Sequence, residues 1–194
     1  MLKVYEKLLS LEKKYLTGKE AARILGITPV SQRVMLSRLV KRKILRRLQR
    51  NLYEVILRPS DILEAANIIY QPSYLSFTYC LGKLGVLNQI AYEIEFATPK
   101  KTKRALLRGR DVIFRQIKKN LFFGYTLKDN IYTAKPEKAL LDTLYLCSKG
   151  LASLNEGELN LEDLSQRQFL KMAKLFPPRV RKEALRLAKK MRKK

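Results

Sequence analysis

Nine basic residues and no acidic one lie between Glu20 and Glu54. They are Arg23, Arg33, Arg38, Lys41, Arg42, Lys43, Arg46, Arg47 and Arg50. Such a run suits recognition more than bond-making. An arginine fork pairs bidentately with a guanine edge, and lysine or arginine neutralises phosphate oxygens. A surface of one sign attracts polyanions, and duplex DNA is the densest common polyanion. The chain has no histidine. That removes imidazole acid–base catalysis, histidine metal sites and Ser/His or Cys/His triads together. Cys80 and Cys147 have no Cys-x-x-Cys partner and sit in apolar helical contexts, so they read as buried reduced thiols.

The carboxylates are the other candidates for chemistry. A nuclease needs two or three acids converging on Mg²⁺, and Glu93, Glu95, Asp111, Glu137 and Asp142 are the available set. Their local contexts favour structural roles. Glu93 and Glu95 share the outward face of an alternating segment. Glu137 falls in the first turn of a helix, where a carboxylate complements the dipole. Asp142 stands at i, i+4 from Lys138, a pairing distance. The expectation is no catalytic residue, no metal and no cofactor, with a metal-dependent nuclease as the alternative. Tyr70, Tyr74, Phe77 and Tyr79 recur at helical spacing and read as core before base-stacking platforms.

The basic run must be carried by something, and its punctuation says what. Leu2, Tyr5, Leu8, Leu9, Leu11 and Leu16 give a first helix from about residue 2 to 15. Thr17, with Glu20 three positions on, makes a capping box for a second helix, Gly18 to Leu25, ended by Gly26. Thr28 is the next N-cap, and Pro29 opens a third helix running to Arg42. At about 100° per residue, Leu36, Leu39 and Val40 face the core and Gln32 turns partly inward. Val30, Ser31, Val34, Ser37, Arg38 and Lys41 then face outward, with Arg33 at the rim. Ile44 to Leu48 and Leu52 to Leu57 form a hairpin around Gln49-Arg50-Asn51, a basic wing.

A helix (Ile62 to Ile69) links to the second half. Another follows Pro72-Ser73 to Leu84. Strands are expected over Ile90–Phe96, Val112–Ile117 and Asn130–Ala134, with a short edge or turn at Phe122–Tyr125. Helices follow at Pro136–Leu146, Leu164–Phe176 and Val180–Met191. An acidic island spans Asn155–Asp163. The whole chain has 41 Lys and Arg against 17 Asp and Glu, a net charge of +24 over 194 residues. That excess implies a polyanionic partner: nucleic acid, an anionic membrane surface or an acidic protein. No apolar run approaches the roughly 20 residues that span a bilayer. The N-terminus lacks a signal-peptide apolar core, so a cytoplasmic location without membrane contact is expected.

The order of motifs resembles the AbiEi-type antitoxins, the regulator half of abortive-infection toxin–antitoxin pairs. Tyr15-Leu-Thr-Gly-Lys-Glu-Ala-Ala-Arg-Ile-Leu-Gly-Ile and Leu36-Ser-Arg-Leu-Val-Lys-Arg-Lys-Ile-Leu-Arg-Arg look like that family's winged helix-turn-helix. Pro72-Ser-Tyr-Leu-Ser-Phe, Ile117-Lys-Lys-Asn-Leu-Phe-Phe-Gly-Tyr and Ala134-Lys-Pro-Glu-Lys-Ala-Leu-Leu-Asp-Thr-Leu-Tyr-Leu are similar to its second-domain signatures. Lys43 stands where the winged-helix pattern usually has Gly, Thr78 where an acid is common, and Gln116 where His is frequent. The resemblance implies a regulator that binds its own operator and neutralises a nucleotidyltransferase-like toxin, with the second domain associated with antitoxicity.

The reading is an α+β protein. Residues 1–58 form a winged helix-turn-helix, and residues 59–194 a mixed domain with a small sheet, several helices and a basic C-terminal helix. Its expected function is sequence-specific binding of double-stranded DNA by an autorepressing antitoxin-like regulator with a cognate toxin as second partner. Ser31, Arg33, Ser37 and Arg38 read or flank base edges. Val30 and Val34 meet thymine methyls, and the Thr28 helix end takes a phosphate. Lys41, Arg42, Arg46, Arg47 and Arg50 neutralise phosphates. A nonspecific nucleic-acid coater is the remaining alternative.

Overall fold

The computed structural model describes residues 2–10, 13–58 and 60–191. Its fold is α+β, in two compact units divided between Ala65 and Ala66. That division falls inside the helix that follows residue 58, later than the sequence suggests.

The first unit is a winged helix-turn-helix. Helix α1 (Leu2–Leu9) is followed by a strand, β1 (Tyr15–Thr17), and by α2 (Gly18–Leu25) and α3 (Pro29–Lys41). The wing is β2 (Leu45–Gln49) and β3 (Leu52–Val55). Both halves of the capping box form: the Glu20 amide donates to Thr17 Oγ1 at 3.2 Å, and the Thr17 amide donates to Glu20 Oε2 at 2.8 Å. Gly26 closes α2 in the left-handed region at φ 66°, where a side chain is penalised. Leu8, Leu16, Ala21, Leu36, Leu39, Ile44, Leu45 and Val55 make the core.

The first helix is shorter than its apolar spacing suggests. Tyr15–Thr17 instead pairs antiparallel with β3, placing Leu16 opposite Tyr53. Leu16 is buried either way, and three residues are too few for periodicity to separate strand from helix. The expected roles of the Leu2, Tyr5 and Leu9 side chains and of Leu11 lie outside the described residues.

The second unit is built on a mixed sheet of order β6-β7-β5-β4-β9-β8. Its strands are β4 (Tyr74–Leu75), β5 (Ile94–Thr98), β6 (Lys103–Leu107), β7 (Arg110–Gln116), β8 (Tyr125–Lys128) and β9 (Ile131–Ala134). Helix α4 (Ile62–Ile69) precedes them, and α5 (Phe77–Lys83) follows β4. Helix α6 (Pro136–Cys147) is the unit's axis. It is buried from Glu137 through Leu146 and packs against α5, β9, α7 (Gln166–Ala173) and α8 (Pro178–Ala188).

Several expectations shift. The Pro72-Ser73 pair precedes a strand, and the helix begins only after Ser76. Ile90 and Tyr92 are exposed and outside any strand, while every residue of β5 is buried, Glu95 included. A strand covered on both faces reads as continuous burial, so the alternation leading into it misplaced Glu95 on the outside. Strand β6, an edge carrying Lys103 and Arg104, has too much charge to announce itself as a strand, which is how edges resist mispairing. Among the described residues no helix is long and apolar enough to cross a membrane.

Candidate nucleic-acid interface

Helix α3 divides cleanly. Leu36 and Leu39 are buried, and Met35 and Val40 pack beside them. Val30 and Val34 point away, 89 % and 53 % exposed. Ser31, Arg33, Ser37, Arg38 and Lys41 are exposed with them. By helical geometry Val30, Val34, Ser37 and Lys41 form the outermost line, with Ser31 and Arg38 on one flank and Arg33 on the other. Arg33, Arg38 and Lys41 have no ion-pair partner among the described residues. Two bare valines beside unpaired guanidinium groups leave both apolar and charged contacts open, the mixture that base edges and thymine methyls satisfy.

Thr28 occupies the N-cap backbone position of α3, but its side chain makes no capping hydrogen bond. Its hydroxyl donates to Ser31 Oγ at 3.2 Å, and its carbonyl accepts from the Ser31 and Gln32 amides. With those two amides engaged and Pro29 lacking one, the expected phosphate cradle narrows to the Val30 amide and the two hydroxyls.

The wing is held by a contact the sequence did not reveal. Asn51 sits at the turn with φ 62°, and its Oδ1 accepts a hydrogen bond from the Gly18 amide at 3.0 Å. That donor is one of the N–H groups left over at the start of α2. A Cβ on Gly18 would come within 2.6 Å of Asn51 Oδ1 and 2.7 Å of Gln32 Nε2. Gly18 therefore lets the wing tip, α2 and α3 meet, and fixes exposed Arg50 relative to the face of α3. Lys43 turns the chain from α3 into the wing at φ 56°. The left-handed backbone expected of a glycine is present, carried by a lysine whose exposed side chain adds a charge.

The wing arginines differ. Arg50 and Arg47 are exposed, the latter donating through Nε to the Gln49 carbonyl at 3.4 Å. Arg46 is a correction. Its guanidinium pairs with Glu54 at 3.1 Å across the strands. Glu54 is fully buried and also accepts from the Ser60 amide and hydroxyl. A buried carboxylate needs that cation, so Arg46 is held in the fold instead of standing ready for phosphate. Arg42 is exposed at the end of α3 beside Lys41.

In the second unit four of the five candidate carboxylates are engaged, while Asp111 is exposed on β7 with no ion pair among the described residues. Glu93 pairs with Arg104 at 2.8 Å and Arg115 at 3.3 Å. Glu95 accepts from Arg115 Nε at 2.8 Å and from the Thr78 amide at 3.1 Å, as well as from the Thr78 hydroxyl. The placement of both on one outward strand face is thereby corrected for Glu95. Glu137 accepts from the Ser165 amide at 3.0 Å. Among the described residues no three His, Cys, Asp or Glu side chains gather to hold a metal.

Asp142 and Lys138 do pair, wholly out of water. Tyr74 Oη and Ser76 Oγ each donate to Asp142 Oδ2 at 2.9 Å, and Lys138 Nζ donates to Tyr74 Oη at 2.8 Å. Burial pushes the Asp142 carboxyl up and the Lys138 ammonium down, each opposed by its partner. Burial and then the Asp142 charge push the Tyr74 phenol well up. Gly124, at φ 74°, lets the Lys138 stem approach to 3.1 Å of where a Cβ would lie. Segments from three separate signatures, around Tyr74, Gly124 and Lys138, thus close on one polar core. Cys80 is buried and its thiol is pushed up to about 12, consistent with an unreactive structural cysteine.

Residues 3–56 match the model of a family described as transcriptional regulator, AbiEi antitoxin. The matched segment spans α2, α3 and the wing. No curated protein matches the chain.

Proposed function

We propose that this protein is a sequence-specific DNA-binding regulator that represses its own operator, acting in the compartment where that DNA lies. The observation that carries the reading is the outward face of α3, where exposed Val30 and Val34 stand beside unpaired Arg33 and Arg38. Charge alone would hold phosphates, but only a mixed apolar and bidentate surface discriminates bases. The match of residues 3–56 to an antitoxin regulator family supports it.

Lys41, Arg42, Arg47 and Arg50 neutralise phosphates on either side of the reading face. The second unit supplies the antitoxin role, directed at a nucleotidyltransferase-like toxin. The signatures that meet around Tyr74 and Lys138 support that part by resemblance. No catalytic step is assigned to the chain: of the five candidate carboxylates, Glu93, Glu95, Glu137 and Asp142 are each bonded within the fold, which leaves Asp111 as a single exposed acid where metal-assisted cleavage needs two or three. A reporter driven by the protein's own upstream DNA tests the regulator reading. Expression of the protein in trans should repress it, and Arg38→Ala should relieve that repression. Unchanged reporter output in both cases contradicts it. Co-expression with a candidate toxin, scored as restored growth, tests the antitoxin role separately.

A nonspecific coater is the reading that the net charge of +24 favours. It predicts equal retention of any duplex and leaves the two exposed valines without a purpose.

A further inference from the structure

The first unit does not account for most of the charge. Residues 1–65 hold 15 Lys and Arg against 6 Asp and Glu, whereas residues 66–194 hold 26 against 11. Some of the second unit's charge is matched locally: Arg104 and Arg115 by Glu93 and Glu95, Arg186 and Lys190 by Glu156. Along α7 unmatched cations lie beside an apolar surface.

A groove of about 940 Å³ runs beside α7. Its apolar wall is Phe123, Met172 and Leu175, and Leu175 is 57 % exposed. Its cations are Lys135, Arg167, Lys171 and Lys174, all exposed. No acidic residue lines it, and none of the four cations has an ion pair among the described residues. Arg167, Lys171 and Lys174 fall at i, i+4 and i+7, one line along the helix. Gln168, Met172 and Leu175 fall at the same intervals on the adjacent line. The opposite side of α7 is spent on the core through Phe169 and Ala173. The surface thus sets an apolar patch, Met172 and Leu175 with Phe123, beside a line of cations that runs along α7 to its C-cap Lys174.

We propose that this groove docks an acidic amphipathic helix of a partner protein. Such a helix carries apolar residues at i, i+3, i+4 and i+7 and can place carboxylates on the line beside them, which is the complement of both the patch and the cation line. Methionine and leucine accept varied apolar side chains, as peptide grooves require. A nucleic-acid backbone would meet the cations but leave Met172 and Leu175 without a partner, so the peptide is the better occupant. The proposal does not depend on operator recognition, which uses other residues.

The probe is a fluorescein-labelled Glu/Leu peptide of about 16 residues, roughly four helical turns, with its leucines on one stripe. A second peptide of the same composition has its leucines spread around the helix. Full-length protein should bind the striped peptide about tenfold more tightly than the spread one, a factor equivalent to ~1.4 kcal/mol. Lys171→Glu should weaken that binding at least about tenfold, and Leu175→Ala measurably less. Both positions are exposed, so a thermal melt matching wild type confirms that either variant is folded. Arg50→Ala should leave peptide binding unchanged while weakening DNA binding. Equal affinity for the two peptides, no binding of the striped one, or its displacement by an equimolar random duplex overturns the proposal. Operator binding is read on the same samples, so failure of the groove and failure of the regulator reading remain distinguishable.

Discussion

In the first unit, α3 leaves Arg33, Arg38 and Lys41 exposed with no acidic neighbour, whereas in the second Lys138 and Asp142 share hydrogen bonds with Tyr74 beyond the reach of water. The same residue types serve opposite ends. An exposed cation without a partner contributes little to folding and is available to a ligand. A buried pair is costly to form and more costly to break singly. The wing places both kinds four residues apart: Arg46 belongs to buried Glu54, and Arg50 to the solvent. Charge count alone cannot separate them, but partners do.

The largest expected effect comes from breaking the buried side of this contrast. Asp142→Ala leaves the buried Lys138 ammonium without its counter-charge, bonded to Tyr74 Oη alone, and should cost ~3–5 kcal/mol, read as a lower denaturation midpoint. The double change Lys138→Met with Asp142→Leu should recover most of that loss, because hydrophobic pairs replace buried ion pairs well. A loss below about 1 kcal/mol for Asp142→Ala, the scale of a surface pair, would erase the distinction.

On the exposed side, Arg38→Ala should reduce discrimination between operator and random duplex by ~1–3 kcal/mol, with the unfolding transition unmoved. Within the wing, Arg46→Ala should lower stability by ~1 kcal/mol, discounted because its guanidinium is partly hydrated. Arg50→Ala should instead leave stability alone and flatten the salt dependence of DNA binding by about one contact. Swapped outcomes for these two arginines would reverse their assignment.

The smallest effect is one of pH. The Thr17 amide, Lys13 and the Thr17 hydroxyl hold Glu20 at about 2, below its ordinary 4.5. A depressed carboxyl stabilises the fold above its unfolded value and loses that contribution as pH falls through the folded one. The stability gap between wild type and Glu20→Gln should therefore be full at neutral pH, shrink from about pH 4.5 downward and close near pH 2. A gap independent of pH would show that the capping box does not depend on the carboxylate charge.

What could be read ahead of the structure follows from sequence distance. Helices α2 and α3 announce themselves through local signals: Thr17 with Glu20, Gly26, Pro29. Each acts within one turn of its own position. The i, i+4 relation of Lys138 to Asp142 is equally local and was legible. Its burial was not, since Tyr74 and Ser76 come from more than sixty residues away. Arg46 shows a subtler limit. Simple counting from the Gln49↔Leu52 pair would set Arg46 opposite Val55. The register slips between Arg47 and Gln49, and Arg46 faces Glu54 instead. One extra residue in a ladder exchanges a solvent-facing cation for a paired one. Asn51 was visible as a turn residue, but its bond to the Gly18 amide depends on tertiary packing that no local pattern encodes.

The central claim is that the face of α3 reads sequence and does not merely hold charge. Its most direct test is the affinity of the purified protein for its own upstream DNA against a scrambled duplex of equal length, followed across a salt series. The account predicts a preference of about 10³-fold or more that persists as salt rises. Two affinities that start equal and fall steeply together would contradict it, leaving phosphate attraction as the whole of the binding.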